Sequence, residues 1–233
     1  MKPFLSVIIP AHDDSAALPV TLVDIDKNLS ESEYSYEILV VGDGSENRTS
    51  GAMNLLSRAI KNLKFLDVNG WHGKGWAVRE GMLKATGNYR LVINASNPVS
   101  VNNFNAMLPG FKEGYDILIG SSRAKGAGVI LFYLENLVFR VFSGRIVRDV
   151  LSDFKCFSES TAVRIFSAAK INGWGFDVEA LNLAKLFNCR ILEVPVSRSS
   201  DSVKALSVGK FFSAIWDSVR VRFWLSRGRY AAQ

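Results

Sequence analysis

The chain has 233 residues, of which 48% are hydrophobic and 21% are charged. That composition excludes a disordered chain, and the length is enough for a domain with a substantial core. The net charge of +6 favours an anionic partner such as a phosphate ligand, an acidic membrane or a nucleic acid.

Apolar runs and helical patterns alternate along the first half of the chain. Residues 4–10 are almost continuously apolar, which is typical of a strand buried on both faces of a parallel sheet. The same reasoning predicts further strands at residues 36–45, 63–69, 89–96 and 115–122, and helices at residues 16–29, 50–63, 73–87 and 101–112. This alternation predicts an α/β fold with a mostly parallel sheet flanked by helices. Ligands bind such sheets at the carboxyl ends of the strands, here residues 11–14, 42–45, 94–97 and 121–123.

The alternation ends near residue 125. Residues 128–144 are strongly apolar and predict a helix, residues 176–188 predict another, and residues 189–197 predict a strand. We find no repeat and no linker. The sequence therefore predicts a single domain over residues 1–233, in which residues 204–233 form a basic amphipathic C-terminal helix.

The predicted location follows from the cysteines and the apolar runs. Cys156 and Cys189 are too few for a disulfide framework or a zinc site, which favours a reduced setting. The first apolar run is too short for a signal peptide, and Pro10 ends it. No uninterrupted apolar stretch reaches the roughly 18 residues of a membrane-spanning helix. We expect a cytoplasmic protein, either free or bound peripherally at the cytoplasmic face of a membrane.

The C-terminal helix has two interpretations. It carries apolar residues at helical spacing and five basic residues: Lys210, Arg220, Arg222, Arg227 and Arg229. One interpretation is an interfacial helix, whose aromatic side chains enter the headgroup layer while the basic ones meet an anionic membrane surface. The other is a helix that packs onto the domain and leaves a solvated basic face.

Six segments resemble, in order, the family 2 glycosyltransferases, and within that family the polyprenyl- and dolichyl-phosphate sugar transferases. They are LSVIIPAHDDSAALPVTL, YEILVVGDGSENRT, GKGWAVREGMLKATGNY, DILIGSSRA, RDVLSDFKCF and GWGFDVEALNLAKLFNCRILEVPV. The resemblance extends from Leu5 to about Pro195. It implies the Rossmann-like GT-A fold, with a nucleotide sugar bound across the first half of the sheet.

The resemblance assigns the nucleotide sugar to eight residues: Pro10, His12, Asp14, Asp43, Lys74, Arg79, Asn94 and Ser96. Lys74 and Arg79 would face the phosphates, although both could instead lie on a solvated helix face. Asp43 would lie near the base or the ribose, although a carboxylate in a turn could instead accept hydrogen bonds from its own backbone.

The resemblance also implies a lipid-phosphate acceptor. It assigns acceptor binding to Arg123, Arg140, Asp149 and Asp177, and catalysis to Arg123 and Lys155. A phosphate nucleophile is already ionised at neutral pH, so the reaction needs no general base. Catalysis would then depend on positioning and on stabilising the leaving diphosphate.

Residues 94–98 depart from the family pattern. They read Asn-Ala-Ser-Asn-Pro where the family has a stretch like DADLQ. Paired carboxylates bind a hard divalent cation because their charged oxygens replace its water shell. Asn94 and Ser96 offer only neutral oxygens. We therefore expect no metal cofactor, with weak Mg²⁺ or Mn²⁺ binding left open.

Other family positions have also changed. Gly42 replaces an aspartate, and Leu151 and Asp153 replace a glutamine and a glycine. Where the family holds the lipid phosphate, this chain has Gly128, Val129 and Phe132, and the substitutes would be Arg140, Arg145 or Arg148.

Two functions remain open on this evidence. The chain is either an active glycosyltransferase that moves a sugar from a nucleotide sugar to a polyprenyl-phosphate-type acceptor, or an inactive relative. The inactive relative would serve as a binding or regulatory subunit, for example of a membrane-bound partner. We expect no nucleic acid as a partner, because no aromatic-interleaved basic motif is present. The stretch GDGSEN is not a dinucleotide-binding fingerprint, which argues against a nicotinamide enzyme.

Overall fold

The computed structural model contains a central seven-stranded sheet. Its strands are β1 (Leu5–Ala11), β2 (Tyr36–Gly42), β3 (Leu63–Asp67), β4 (Tyr89–Val92), β5 (Ile117–Ser121), β6 (Lys155–Ser158) and β7 (Ile191–Pro195). The structure describes residues 2–12, 17–42, 53, 55–68, 70, 72–95, 99–122, 129–144, 146–198 and 206–230.

Seven helices are described around the sheet. They are α1 (Leu18–Ser30), α2 (Lys74–Lys84), α3 (Phe104–Lys112), α4 (Val129–Phe142), α5 (Glu159–Ala168), α6 (Phe176–Leu186) and α7 (Val208–Ser226). A short 3₁₀ turn, Val101–Asn103, precedes α3, and residues 55–59 are also helical. Within the described part of the chain, no helix combines the length and the apolarity needed to cross a membrane.

The strand order is β3-β2-β1-β4-β6-β5-β7. Strands β1 to β4 pair in parallel, as the sequence predicts, and so do β5 and β7. Strand β6 runs antiparallel to both of its neighbours. Its first residue, Lys155, therefore lies beside Val92 and Ile119, at the edge where the parallel strands end.

The core lies on both faces of the sheet, which explains the unbroken apolar run in β1. Every residue of β1 is buried. Ile8 packs into one core cluster, whereas Val7 and Ile9 pack into the cluster on the other face. Helix α2 approaches β1 so closely that a Cβ added at Gly81 would lie 2.4 Å from Ile8 Cγ2.

Helix α7 packs against the domain through a face whose fully buried residues are mostly small, with larger side chains such as Phe211 and Trp224 partly buried beside them. Ala214, Ser218 and Val221 are buried there, and Asp217 accepts a hydrogen bond from the backbone N–H of Gly175 at 3.3 Å. The helix also touches α4, where the rings of Phe139 and Phe211 are 5.7 Å apart. Of the two interpretations of the C-terminal helix, packing onto the domain therefore applies to this face of α7 only. Five large apolar side chains of α7 remain exposed: Val208, Phe212, Trp216, Val219 and Phe223.

Candidate functional site

A narrow pocket lies at the carboxyl edge of the sheet, where β4 ends and β6 begins. Its internal volume is about 10 Å³, close to what one water molecule needs. Phe157, Phe166 and Phe176 contribute aromatic walls. Its polar lining consists of Lys74, Asn94, Ser152, Asp153, Lys155 and Asp177.

Two ion pairs cross this pocket. Lys155 Nζ lies 2.6 Å from Asp177 Oδ1, with both side chains nearly buried, and it also donates to the carbonyl of Ser152. Lys74 Nζ lies 3.1 Å from Asp153 Oδ1. The pocket thus contains two ion pairs, each made of one ammonium and one carboxylate.

The two carboxylates respond differently to this environment. Burial raises the pKa of Asp177, and the nearby ammonium groups of Lys155 and Lys74 oppose that rise without cancelling it. Burial would also raise the pKa of Asp153, but the charge and the hydrogen bond of Lys74 outweigh it and lower the pKa. Asp153 therefore carries its negative charge at neutral pH.

The backbone around Lys74 fixes its position. Gly73 has φ +108°, and a Cβ there would lie 2.3 Å from the carbonyl oxygen of Asn172. The first N–H groups of α2, those of Gly75 and Trp76, donate to the carbonyls of Gly173 and Asn172. Helix α2 is thereby joined to the loop before α6, which brings Lys74 close to the start of α6.

A second, much wider cavity of about 880 Å³ opens between α4 and the ends of β5 and β7. Phe132, Tyr133 and Asn136 of α4 form one wall. The rest of the lining is Ser121, Ser122, Arg148, Asp149, Glu193, Pro195, Val196, Ser197 and Arg198. At this size it can hold a small-molecule ligand.

Charged groups are arranged differently in the wide cavity. Glu193 Oε1 accepts the backbone N–H groups of Arg148 and Asp149, at 2.9 and 3.0 Å. Burial raises the pKa of Asp149 to about 7, although the charge of Lys155 opposes the rise. Among the residues that the structure describes, neither Asp149 Oδ1 nor Arg198 Nε has a hydrogen-bond partner. This cavity therefore carries polar groups that a ligand could satisfy.

The structure brings several of the predicted site residues together. Lys74, Asn94, Lys155 and Asp177 line the narrow pocket, and Asp149 lines the wide cavity. The acceptor role of Asp177 stays a prediction; its carboxylate pairs with Lys155 and lines the narrow pocket, not the wide cavity.

Other predicted residues lie apart from both cavities. Arg79 donates to Asn172 Oδ1 at 2.9 Å and to the carbonyl of Ala169 at 3.3 Å, so its guanidinium joins α2 to the segment after α5. Arg140 lines neither described cavity. Pro10 lies at the carboxyl end of β1, and the exposed His12 follows it.

Four predicted site residues, and two positions named as family changes or substitutes, lie outside the described residues. They are Asp14, Asp43, Ser96 and Arg123, together with Gly128 and Arg145.

Sequence reasoning missed three contributors to these cavities: Ser152, Glu193 and Arg198. Arg198 follows the last strand of the sheet, so the rule that ligands bind at carboxyl strand ends could have found it. Glu193 lies within β7, where nothing in the strand pattern marks a site. Asp153 was visible as a departure from the family pattern, but only the structure shows its pairing with Lys74.

A model of the family named Glycosyl transferase family 2 matches residues 6–171. The chain belongs to glycosyl transferase family 2. This confirms the relationship indicated by the six sequence segments.

Curated relatives are about 30% identical to this chain over most of its length. A dolichyl-phosphate beta-glucosyltransferase of Dictyostelium discoideum is 32% identical, over 94% of this chain and 74% of the relative. The enzyme of that name from Drosophila melanogaster is 28% identical, over 94% of this chain and 76% of the relative.

Solved structures confirm the fold of this family 2 chain. Mannosyl-3-phosphoglycerate synthase from Rubrobacter xylanophilus aligns with a TM-score of 0.69 at 15% identity, covering 99% of this chain and 76% of that one. Glucosyl-3-phosphoglycerate synthase from Mycobacterium tuberculosis, crystallised with uridine diphosphate (UDP), aligns with a TM-score of 0.65 at 16% identity, covering 99% and 81%. The α/β architecture predicted from the sequence is thus the GT-A fold of these glycosyltransferases.

The family resemblance implies a divalent cation, and one of these neighbours has been crystallised with Mn²⁺. Here Asn94 contributes a neutral amide to the pocket lining, and the two carboxylates of that lining, Asp153 and Asp177, are each paired with a lysine. Across the described ranges, no group of three or more His, Cys, Asp or Glu side chains is arranged to hold a metal ion. Hard cations prefer several charged oxygen ligands. The described donor set therefore does not fit a divalent cation.

Proposed function

We propose that this chain transfers a sugar, glucose in particular, from UDP-glucose to a polyprenyl phosphate. The supporting observation is the pair of lysines, Lys74 and Lys155, at the strand ends of a family 2 fold. The relatives named above are dolichyl-phosphate beta-glucosyltransferases, and a structural neighbour binds UDP. These names supply the sugar, the carrier and the acceptor of the proposal.

The two cavities would divide the reaction between them. Lys74 supplies positive charge where the leaving diphosphate develops its own charge, a role that a divalent cation performs in other enzymes, and Lys155 lies beside it, paired with Asp177. The wide cavity takes the acceptor phosphate, with Arg148 and Arg198 as its cationic groups. Because the acceptor phosphate is ionised, positioning it against the sugar carbon is the remaining requirement.

The direct test is a transfer assay with radiolabelled UDP-glucose and a polyprenyl phosphate in detergent micelles. We expect label to accumulate in the organic-solvent extract with time. Arg198→Gln should slow transfer, whereas Arg164→Gln, which lies over the ring of Phe187 away from both cavities, should not. Binding of UDP-glucose without any lipid product would contradict the enzyme assignment and favour the inactive binding subunit.

We also propose that α4 and α7 dock on an anionic membrane. Six apolar side chains of α4 are exposed: Ile130, Leu131, Tyr133, Leu134, Leu137 and Val141. With the five on α7, they give two neighbouring helices eleven exposed large apolar side chains, and exposed apolar patches often mark membrane or protein contacts. Phe132 and Tyr133 also line the wide cavity, so docking there would bring the acceptor site close to the lipid.

The basic residues of the tail supply the charge for this docking. Each Lys or Arg near an anionic surface contributes about 1 kcal/mol at moderate salt. Arg222 and Arg229 are exposed. Arg227 lies 5.1 Å from the ring centroid of Phe223, which belongs to the row of five exposed apolar side chains on α7. An apolar row flanked by arginines matches an anionic lipid surface better than a neutral one.

Vesicle co-sedimentation tests the docking. Binding should require anionic lipid, weaken as salt rises, and fall with Phe212→Ser plus Trp216→Ser. Val20→Ser is the matched control, because Val20 is as exposed as Trp216 but lies on α1. A protein that ignores anionic vesicles at low salt would contradict the membrane proposal and leave the sugar-transfer proposal standing.

A further inference from the structure

The four charged side chains of the narrow pocket balance each other. Lys74 and Lys155 carry positive charge, and Asp153 and Asp177 face them at 3.1 and 2.6 Å. An anion that enters this region therefore meets no net positive charge from these four groups. For an ammonium to act on a phosphate, one of the pairs must open.

The two pairs differ in how easily they can open. The side chains of Lys155 and Asp177 are 5% and 10% exposed, and Lys155 is also anchored by the carbonyl of Ser152. The side chains of Lys74 and Asp153 are 12% and 32% exposed. Opening a buried pair leaves uncompensated charges in a medium of low dielectric constant, whereas water can solvate a more exposed carboxylate. The pair between Lys74 and Asp153 is the one that can exchange partners.

The backbone near Lys74 offers an anion little help. A helix start usually presents free N–H groups to a phosphate. In α2, those of Gly75 and Trp76 already donate to Gly173 and Asn172. Those two N–H groups are therefore not available to an anion, which leaves the side chain of Lys74 as the charged group that can meet it at this end of α2.

We propose that Asp153 is an internal counter-ion for Lys74, which a nucleoside diphosphate must displace in order to bind. This inference rests on the donor site of the proposed function. Asp153 keeps its charge at neutral pH, so it competes with the diphosphate for Lys74 and repels it as well. The residue thereby lowers donor affinity and favours ligands with enough negative charge to replace it.

Calorimetry with UDP and the full-length chain, in the presence of a chelator, tests this role. Asp153→Asn removes the charge and keeps the shape, and it should tighten UDP binding by about twofold to fivefold, the range of a partly exposed ion pair. The gain in affinity should shrink as salt rises, because salt screens the repulsion between Asp153 and the diphosphate. A purely structural effect of the substitution would not depend on salt. Glu31→Gln is the control: it changes the net charge equally at an exposed site on the far side of α1 from its buried face.

The outcomes separate this inference from the proposed function. If the unaltered chain binds UDP and Asp153→Asn binds it equally or more weakly, the counter-ion role is wrong and the donor site stands. A second titration replaces the chelator with Mn²⁺. If UDP binds only when Mn²⁺ is present, and Asp153→Asn abolishes this binding, Asp153 is a metal ligand and the inference is overturned. If the unaltered chain binds no UDP under any condition, the proposed function fails and the inference fails with it.

Discussion

The narrow pocket and the wide cavity lie at the same edge of the sheet, but their charged side chains differ in whether they are paired. In the narrow pocket each ammonium faces a carboxylate within 3.1 Å. In the wide cavity the buried Asp149 and the half-buried Arg198 each keep a polar atom without a hydrogen-bond partner among the described residues. Paired charges hold elements together, whereas unsatisfied ones are available to a ligand. Substitutions in the two regions should therefore affect different properties.

The largest expected effect is on stability, in the narrow pocket. Asp177→Ala leaves the ammonium of Lys155 buried without its carboxylate, which typically costs about 3–5 kcal/mol. Urea unfolding should show the free energy of unfolding reduced by that amount. The control is Lys2→Ala, which removes an ion pair whose side chains are 48% and 41% exposed and should cost less than about 1 kcal/mol. Equal losses in the two variants would contradict the distinction between buried and exposed pairs.

The next effect is on acceptor binding, in the wide cavity. Arg198→Gln removes a cationic donor whose partner is a ligand phosphate in this account, and it should raise the KM for polyprenyl phosphate about tenfold. Because the side chain's hydrogen bond within the described residues is a long one, 3.3 Å to Ser122, the unfolding free energy should change little. Steady-state kinetics and urea unfolding of the same variant check both statements. A destabilised variant with an unchanged KM would mean that Arg198 is structural.

The smallest effect is the dependence of acceptor binding on pH. The pKa of Asp149 is raised to about 7, so the carboxyl is mostly neutral at pH 6 and mostly charged at pH 8. A negative charge in the open cavity repels the acceptor phosphate, which should raise KM about threefold. The acceptor titrates as well, so the quantity to compare is the ratio of KM values for the unaltered chain and Asp149→Asn. A ratio that stays constant from pH 6 to pH 8 would contradict the role of Asp149.

The raised pKa of Asp149 also makes the free energy of unfolding depend on pH. Asp149 keeps its proton in the folded chain up to a pH of about 7, but the unfolded chain loses it near its usual pKa of 3.8. The folded state therefore binds more protons between these values, so the unfolding free energy falls as the pH rises from about 4 to 7. Asp149→Asn should lack this part of the slope in urea unfolding measured across that range.

The sequence predicted the parallel half of the fold well, because strands buried on both faces read as unbroken apolar runs. It missed β6 and α5. The four residues of β6 are too short for a periodic signal and gain their strand conformation from pairing with β4 and β5. For α7, helical spacing placed apolar residues together but did not show that the small residues Ala214 and Ser218 face the core. Close packing selects such residues, and hydropathy does not detect it.

The site shows the same limit. The motif residues Lys74, Asn94 and Lys155 line one pocket, because each lies near the start or end of an element whose position the fold determines; their roles stay predictions. The side chains that form ion pairs with these residues were not predictable in this way. Asp153 lies 79 positions from Lys74 along the chain, and only the antiparallel insertion of β6 brings the two together.

The central claim is that a lysine side chain, and not a divalent cation, stabilises the leaving diphosphate. The most direct measurement is the rate of glucose transfer to polyprenyl phosphate in a series that runs from excess chelator to saturating Mn²⁺. The account predicts a rate that changes by less than about twofold across the series. An enzyme that depends on a metal as its Lewis acid loses several kcal/mol of transition-state stabilisation without it. A rate that falls to background in chelator and returns with Mn²⁺ would contradict the account.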